Sequence, residues 1–406
     1  MKKLTLMAFF RGYGFSLILF SAIILGGFVG IYEPHWGPIL KPFGDIFLHL
    51  MFTVVVPLVF FSVASSIASV TEFRQLGRIL LSMILVFLFM GVIAAGYMSI
   101  VSQLFPLTKG FVFQSTSTNL PAVLPEHNLL GLLTVSDFAQ LFTREHMLAL
   151  ILFAFLLGCS VLAAGEKGKP FQAFLQSGMA VFMKLTDYIM YYAPMGFFAY
   201  FAVLIGQWGH DFLGAYYHVG IIYYLAALIY FVVFFTGYVL LTKKKGRVFW
   251  KNIIPTSITA LATCSSAASL PVNLESTEKM GVAPEIYQTV IPLGTIIHKQ
   301  GSIMGGVVKI VFLLTLFHVP LIGYSAWITM ILTALLVGTV MGAIPSGGML
   351  GEMLIISMYG FPPEALMLIA VISLIIDPLA TLLNVVGNSV ASLLTEKIFC
   401  SKVLTR

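Results

Sequence analysis

Stretches of apolar residues as long as a bilayer is thick recur from one end of this chain to the other. The runs at 14–30, 46–68, 147–164 and 219–241 consist mostly of Leu, Ile, Val, Phe, Ala and Gly. About 17–25 such residues in a helix cross a ~30 Å hydrocarbon core. The composition agrees: 59% of the 406 residues are hydrophobic and 9% are charged, against roughly 25% charged in soluble domains. The expected class is therefore an all-α polytopic membrane protein. Its net charge of +6 is then a matter of loop placement, and no nucleic-acid partner is expected.

Basic residues orient the chain, because cytoplasmic loops carry an excess of Lys and Arg. With the N-terminus inside, the cytoplasmic segments hold Arg74 and Arg78, Lys167 and Lys169, the run TKKKGR at 242–247, and Lys397, Lys402 and Arg406. Both termini are expected in the cytoplasm of a bacterial plasma membrane. Lys2, Lys3 and Arg11 ahead of the first apolar run imitate a signal peptide, but no A-x-A-like site follows, so that run is expected to be retained. The three cysteines, Cys159, Cys264 and Cys400, are scattered and imply no disulfide framework. The tyrosine-rich YYHVGIIYY at 216–224, with Tyr191, Tyr192 and Trp327, is expected to mark membrane interfaces.

After Lys251 the pattern changes. The segment IIPTSITALATCSSAASLPVNLESTEKMG begins apolar and turns small and polar at its middle, so its second half is too polar to face lipid. A re-entrant hairpin buried in protein resolves this. A long helix from 286 to about 317 follows, interrupted at PLGTIIHKQGSIMGG. The arrangement then recurs: AIPSGGMLGE at 343–352 is a second small-residue tip, and a helix over about 362–395 is expected to break at IDPLATLLNVVGNS. Hairpin plus broken helix, twice, is the weak internal symmetry of secondary transporters. The four interruptions should meet at one cavity.

Asp377, Thr381, Asn384 and Asn388 are spaced 4, 3 and 4 apart, which puts them on one helical face. A carboxylate inside a membrane helix is expensive and usually faces a cavity or a partner. With a hydroxyl and an amide beside it, it suits a small zwitterion: Asp377 for the ammonium, Asn384 for the carboxylate, Thr381 for either. The competing explanation is that these polar groups join helices to one another. Lys309 and Glu352 can either pair inside the core or face water. No zinc spacing, phosphate loop or nucleophile–base set is present, so neither a metal, a cofactor nor enzyme activity is expected.

The tips CSSAASLP and IPSGG, the helix break before Gly301-Ser302 and the stripe TLLNVVGNS resemble the dicarboxylate/amino acid:cation symporters, the glutamate-transporter family. The similarity runs through nearly the whole chain and is strongest from 255 to 395. It implies eight membrane-spanning helices, two re-entrant hairpins, a homotrimer, and a transport domain that moves like an elevator against a scaffold. The scaffold would comprise 1–71 and 106–208; the transport domain would comprise 72–105, 209–249 and the core 250–398, with 399–406 a cytoplasmic tail. By the same resemblance, Ser265 and Ser266 at the first tip and Ile344, Pro345, Ser346, Gly347 and Gly348 at the second enclose the solute. Asp377, Thr381 and Asn384 match the family's substrate-binding positions.

The departures point to a different solute and a different driving ion. Ala380 stands where acidic-amino-acid members place an arginine; losing that bidentate partner favours a neutral amino acid. The family's Asn-Met-Asp-Gly-Thr break reads His298-Lys299-Gln300-Gly301-Ser302 here, and its second sodium-binding aspartate is Asn388. By helix register, Phe87, Met90 and Gly91 replace further oxygen donors. Hard cations need oxygen ligands and carboxylates, so sodium should bind poorly. Lys299 is then expected to act as a tethered cation in place of a diffusible one. Two alternatives stay open: a proton-coupled symporter using Lys299, His298 or Asp377, and, from another class, a non-transporting channel or sensor on the same scaffold.

Overall fold

The computed structural model describes residues 2–68, 73–107, 134–143, 146–208, 211–242, 244–340 and 347–403. The first part of the chain forms α1 (Lys2–Tyr32), α2 (Gly37–Ala68), α3 (Phe73–Leu104), α4 (Met147–Ala163) and α5 (Lys169–Trp208). Then come α6 (Asp211–Ile229), a π-helical stretch Tyr230–Phe234, and α7 (Phe235–Leu241). Six helical stretches among the described residues are long and apolar enough to cross a membrane, and Leu17–Tyr32 and Ala149–Ala163 are shorter apolar helices. The fold is an all-α polytopic membrane bundle.

The rest of the chain builds the core. The first hairpin has arms α8 (Gly246–Thr263) and α9 (Ser266–Lys279). The broken helix is α10 (Pro284–Ile297) followed by α11 (Gln300–Leu316). The second hairpin has arms α12 (Gly323–Val340) and α13 (Gly347–Tyr359), and α14 (Ala365–Val403) ends the chain. The tip residues Ile344, Pro345 and Ser346 lie outside the described residues.

Helices α1, α2, α4 and α5 pack chiefly on one another, whereas α14 is the axis on which α3, α6 to α11 and α13 assemble. The apolar 18-residue window within the broken-helix span Pro284–Leu316 is 89% buried, against 44% for that within Gly214–Leu241. The most enclosed of these apolar windows thus belongs to the helix with the interrupted backbone, as expected where backbone groups must find partners inside protein.

Each local turn follows from its residues. Cys264 ends α8 in the left-handed region at φ 47°, and Ser265 caps α9 by accepting the Ala268 N–H at 3.2 Å. The polar half of the hairpin faces α14: Asn273 donates to the Val385 carbonyl and Thr277 to the Ser389 hydroxyl, both at 2.9 Å. Two expectations change. First, α14 runs unbroken through IDPLATLLNVVGNS. Pro378 removes one N–H from the ladder, and one missing bond does not open a helix packed on most sides. Second, Tyr216, Tyr223 and Tyr224 do not stand free at a surface: their hydroxyls donate to the carbonyls of Leu368, Gly301 and Ile375 at 2.9–3.0 Å. Three rings that read as an aromatic belt are stitches between α6 and the core.

Candidate functional site

The break consists of two extended residues, His298 (φ −125°, ψ 101°) and Lys299 (φ −134°, ψ 81°). It leaves the first N–H groups of α11 without helical partners, which inside a membrane costs several kcal/mol apiece. Asn384 meets the need. Its Oδ1 accepts from Gly301 N at 2.9 Å and Ser302 N at 3.2 Å, and its amide donates to the Ser302 hydroxyl at 3.1 Å. One amide hydrogen of Asn384 has no partner among the described residues.

Glycines allow the close approach that this cap requires. A Cβ on Gly301 would lie 2.2 Å from the Ala380 carbonyl oxygen, and one on Gly294 would lie 2.5 Å from Asn388 Oδ1. Ala380 therefore sits with its backbone against the break, on the same helix as Asp377 and one residue before Thr381. Thr381 donates to Asp377 Oδ1 at 3.3 Å.

Lys299 is 7% exposed, and its ammonium approaches the Ser266 hydroxyl at 3.5 Å. It points inward, at the start of α9 in the first hairpin tip. A helix N-terminus carries partial positive charge, so ammonium and helix end are alike in sign at that spot. Asp377 is half-buried and within electrostatic range of Lys299. First tip, helix break and α14 thus converge on Ser265, Ser266, Lys299, Asp377, Ala380, Thr381 and Asn384. Gly347 and Gly348 open α13 at the start of the second tip's return arm.

The positions read as an altered cation site also come together. His298 Nδ1 lies 2.9 Å from Asn388 Oδ1, and its ring stacks on Phe87 with centroids 4.2 Å apart and planes 6° from parallel. Met90 is fully buried nearby on α3. Gln300 is fully buried, with both polar atoms of its amide unpartnered among the described residues and its oxygen facing Gly387. The donor set is imidazole, carboxamide and an aromatic ring, with the Asn388 oxygen already engaged. No group of three His, Cys, Asp or Glu side chains among the described residues is arranged to hold a metal. A hard cation favours several oxygen ligands, and among the described residues this set offers one unengaged side-chain oxygen, that of Gln300, so it is a poor fit for a sodium ion.

Re-entrant hairpins and a membrane helix broken beside buried charge are how secondary transporters line a path for a polar solute, and this molecule is one of that class. The Sodium:dicarboxylate symporter family pattern matches residues 15–398. The chain belongs to that family. It is 28% identical over 408 residues to the proton/sodium-glutamate symport protein of Geobacillus stearothermophilus, covering 95% of each chain. It is 26% identical over 395 residues to the proton/glutamate-aspartate symporter of Bacillus subtilis, covering 94% of this chain and 95% of that one. It is also 26% identical over 390 residues to the Bacillus subtilis C4-dicarboxylate transport protein, covering 93% and 91%.

Tyr223 and Phe87 are the site-supporting residues that sequence patterning does not single out in these roles. An aromatic in a membrane helix reads alike whether it faces lipid or a backbone carbonyl.

Proposed function

We propose that this transporter carries a small neutral, zwitterionic amino acid by an elevator motion of its core, without sodium coupling, with Lys299 as a tethered cation. The observation that carries the proposal is the inward Lys299 ammonium, 3.5 Å from Ser266 at the positive end of α9. Among the described residues no carboxylate lies within ion-pair distance of that ammonium, and a solute α-carboxylate supplies the direct partner. Asp377, on the opposing helix, takes the solute ammonium, with Thr381 and the remaining amide hydrogen of Asn384 completing the polar contacts.

The relatives' names specify glutamate, aspartate and C4-dicarboxylates. A second carboxylate on the solute would meet Ala380, which offers no partner, and a dicarboxylate without an amine would leave Asp377 facing like charge. Sodium independence rests on the break. Where coupling needs a dissociable ion with different affinity in different states, this chain has a covalently held ammonium and an imidazole bonded to Asn388. Assembly as a homotrimer in a bacterial plasma membrane, with cytoplasmic termini and α1, α2, α4 and α5 as the stationary scaffold, belongs to the same proposal. Enzyme activity does not.

Proteoliposomes loaded with unlabelled amino acids test it, with uptake of each labelled amino acid followed in sodium, in potassium and under an imposed pH gradient. Exchange of a neutral amino acid indifferent to all three conditions is expected. Sodium-dependent uptake of glutamate would refute it; dependence on the pH gradient would install a proton-coupled symporter, and no uptake of any solute a channel or sensor.

A further inference from the structure

Away from the solute corner, Lys309 on α11 and Glu352 on α13 form an ion pair at 3.1 Å, with side chains 2% and 1% exposed. Each of the other ion pairs among the described residues has both side chains at least 15% exposed. Ser373 of α14 donates a hydrogen bond to the same Glu352 oxygen. A buried pair of this kind is weak evidence for stability, because packed hydrophobic residues often serve as well or better, and intramembrane charges usually mark function.

Its position supplies the function. Ser373 lies four residues before Asp377, one turn along α14, and Asp377 is within the field of both Lys309 and Lys299. Besides the self-cancelling Lys244–Glu396 pair near the end of α14, the charges held inside the core among the described residues are two ammoniums, Lys299 and Lys309, and two carboxylates, Glu352 and Asp377. His298 adds none in this geometry. Its Nδ1 faces the Asn388 oxygen, and Nε2 is buried without a partner among the described residues, so a second ring proton would be left unpaired.

We infer that Lys309 and Glu352 complete a self-balanced set of charges, so that the core takes a solute of zero net charge and carries it across the membrane electroneutrally. No accompanying ion is needed to bring the sum to zero, loaded or empty. The inference rests on the transport function proposed above and adds to it a definite response to voltage. One uncompensated elementary charge crossing the whole field changes the distribution between the two sides by about fifty-fold per 100 mV.

The test uses the full chain in proteoliposomes with a potassium diffusion potential of either sign, and a mixture of all twenty labelled amino acids, with labelled succinate in parallel. Wild-type uptake is expected to be equal at both polarities. Glu352→Gln leaves one positive charge, and Lys309→Met leaves one negative charge. Their rates should shift several-fold with potential, in opposite directions, and the Lys309→Met/Glu352→Gln double variant should lose the voltage dependence again. If the single variants do not fold, the wild type and the double variant decide. Wild-type uptake that changes several-fold with polarity overturns the inference and leaves the transport function standing, as does an identical response in the two single variants. If no solute moves at all, the transport function fails and the inference with it.

Discussion

Replacing Asn384 by Leu removes the one acceptor shared by the Gly301 and Ser302 N–H groups while keeping a side chain of similar volume. Those bonds measure 2.9 and 3.2 Å, and the residue is 5% exposed. Leaving a buried donor unsatisfied costs about 1–3 kcal/mol, so two of them total about 2–6 kcal/mol. Local rearrangement around the freed donors relieves part of this, and the low end, about 2 kcal/mol, is the expected loss. At ~1.4 kcal/mol per factor of ten, local opening of the first turn of α11 becomes about thirty-fold more frequent. Amide hydrogen exchange, which reports such local opening, should show that loss of protection at residues 300–303 and little change in α12. Asn384→Asp keeps an acceptor at the helix N-terminus, where negative charge is favoured, and should retain protection. Unchanged exchange in Asn384→Leu, or equal loss in both variants, would refute the capping role.

Lys299→Met should weaken binding of whichever amino acid the uptake panel selects by roughly ten- to a hundredfold, the worth of a charge-assisted hydrogen bond of ~1.5–3 kcal/mol. Calorimetric titration with and without sodium checks this, and sodium should not restore affinity. Gly301→Ala places a methyl 2.2 Å from the Ala380 carbonyl oxygen, a backbone clash that cannot be relieved by a rotamer; a destabilisation of about 1–3 kcal/mol should appear as a lower melting temperature in detergent. Tyr223→Phe removes the hydroxyl that donates to Gly301 at 2.9 Å. It should destabilise the protein by about 0.5–1.5 kcal/mol, detectable in the same melting assay.

What the sequence disclosed depended on the range of the interaction. Helical spans are announced by local composition. The polar half of the first hairpin likewise announces itself, because Ser269, Asn273, Ser276 and Thr277 cannot face lipid. The break at His298-Lys299 was legible because an imidazole and an ammonium interrupt an apolar helix. The expected break in the last helix was a misjudgement of Pro378, whose local weakness is outweighed by packing around α14. Pairings across long separations were not legible. Lys309 and Glu352 are 43 residues apart and Tyr223 and Gly301 are 78 apart; nothing local distinguishes their outcome from solvent exposure. The face of Asn384 was correct from spacing alone. That it would spend three of its four hydrogen-bonding capacities on the backbone break required knowing how closely α11 approaches α14.

The hydroxyls of Tyr216, Tyr223 and Tyr224 fasten α6 to α11 and α14 at three heights. A slip of α6 past α11 and α14 by even a couple of ångströms would forfeit all three bonds together, so α6 is mechanically part of whatever α14 does. Tyr217, on the same helix and 74% exposed, is thereby a handle: a spectroscopic label fixed there reports any displacement that α6 and α14 make together.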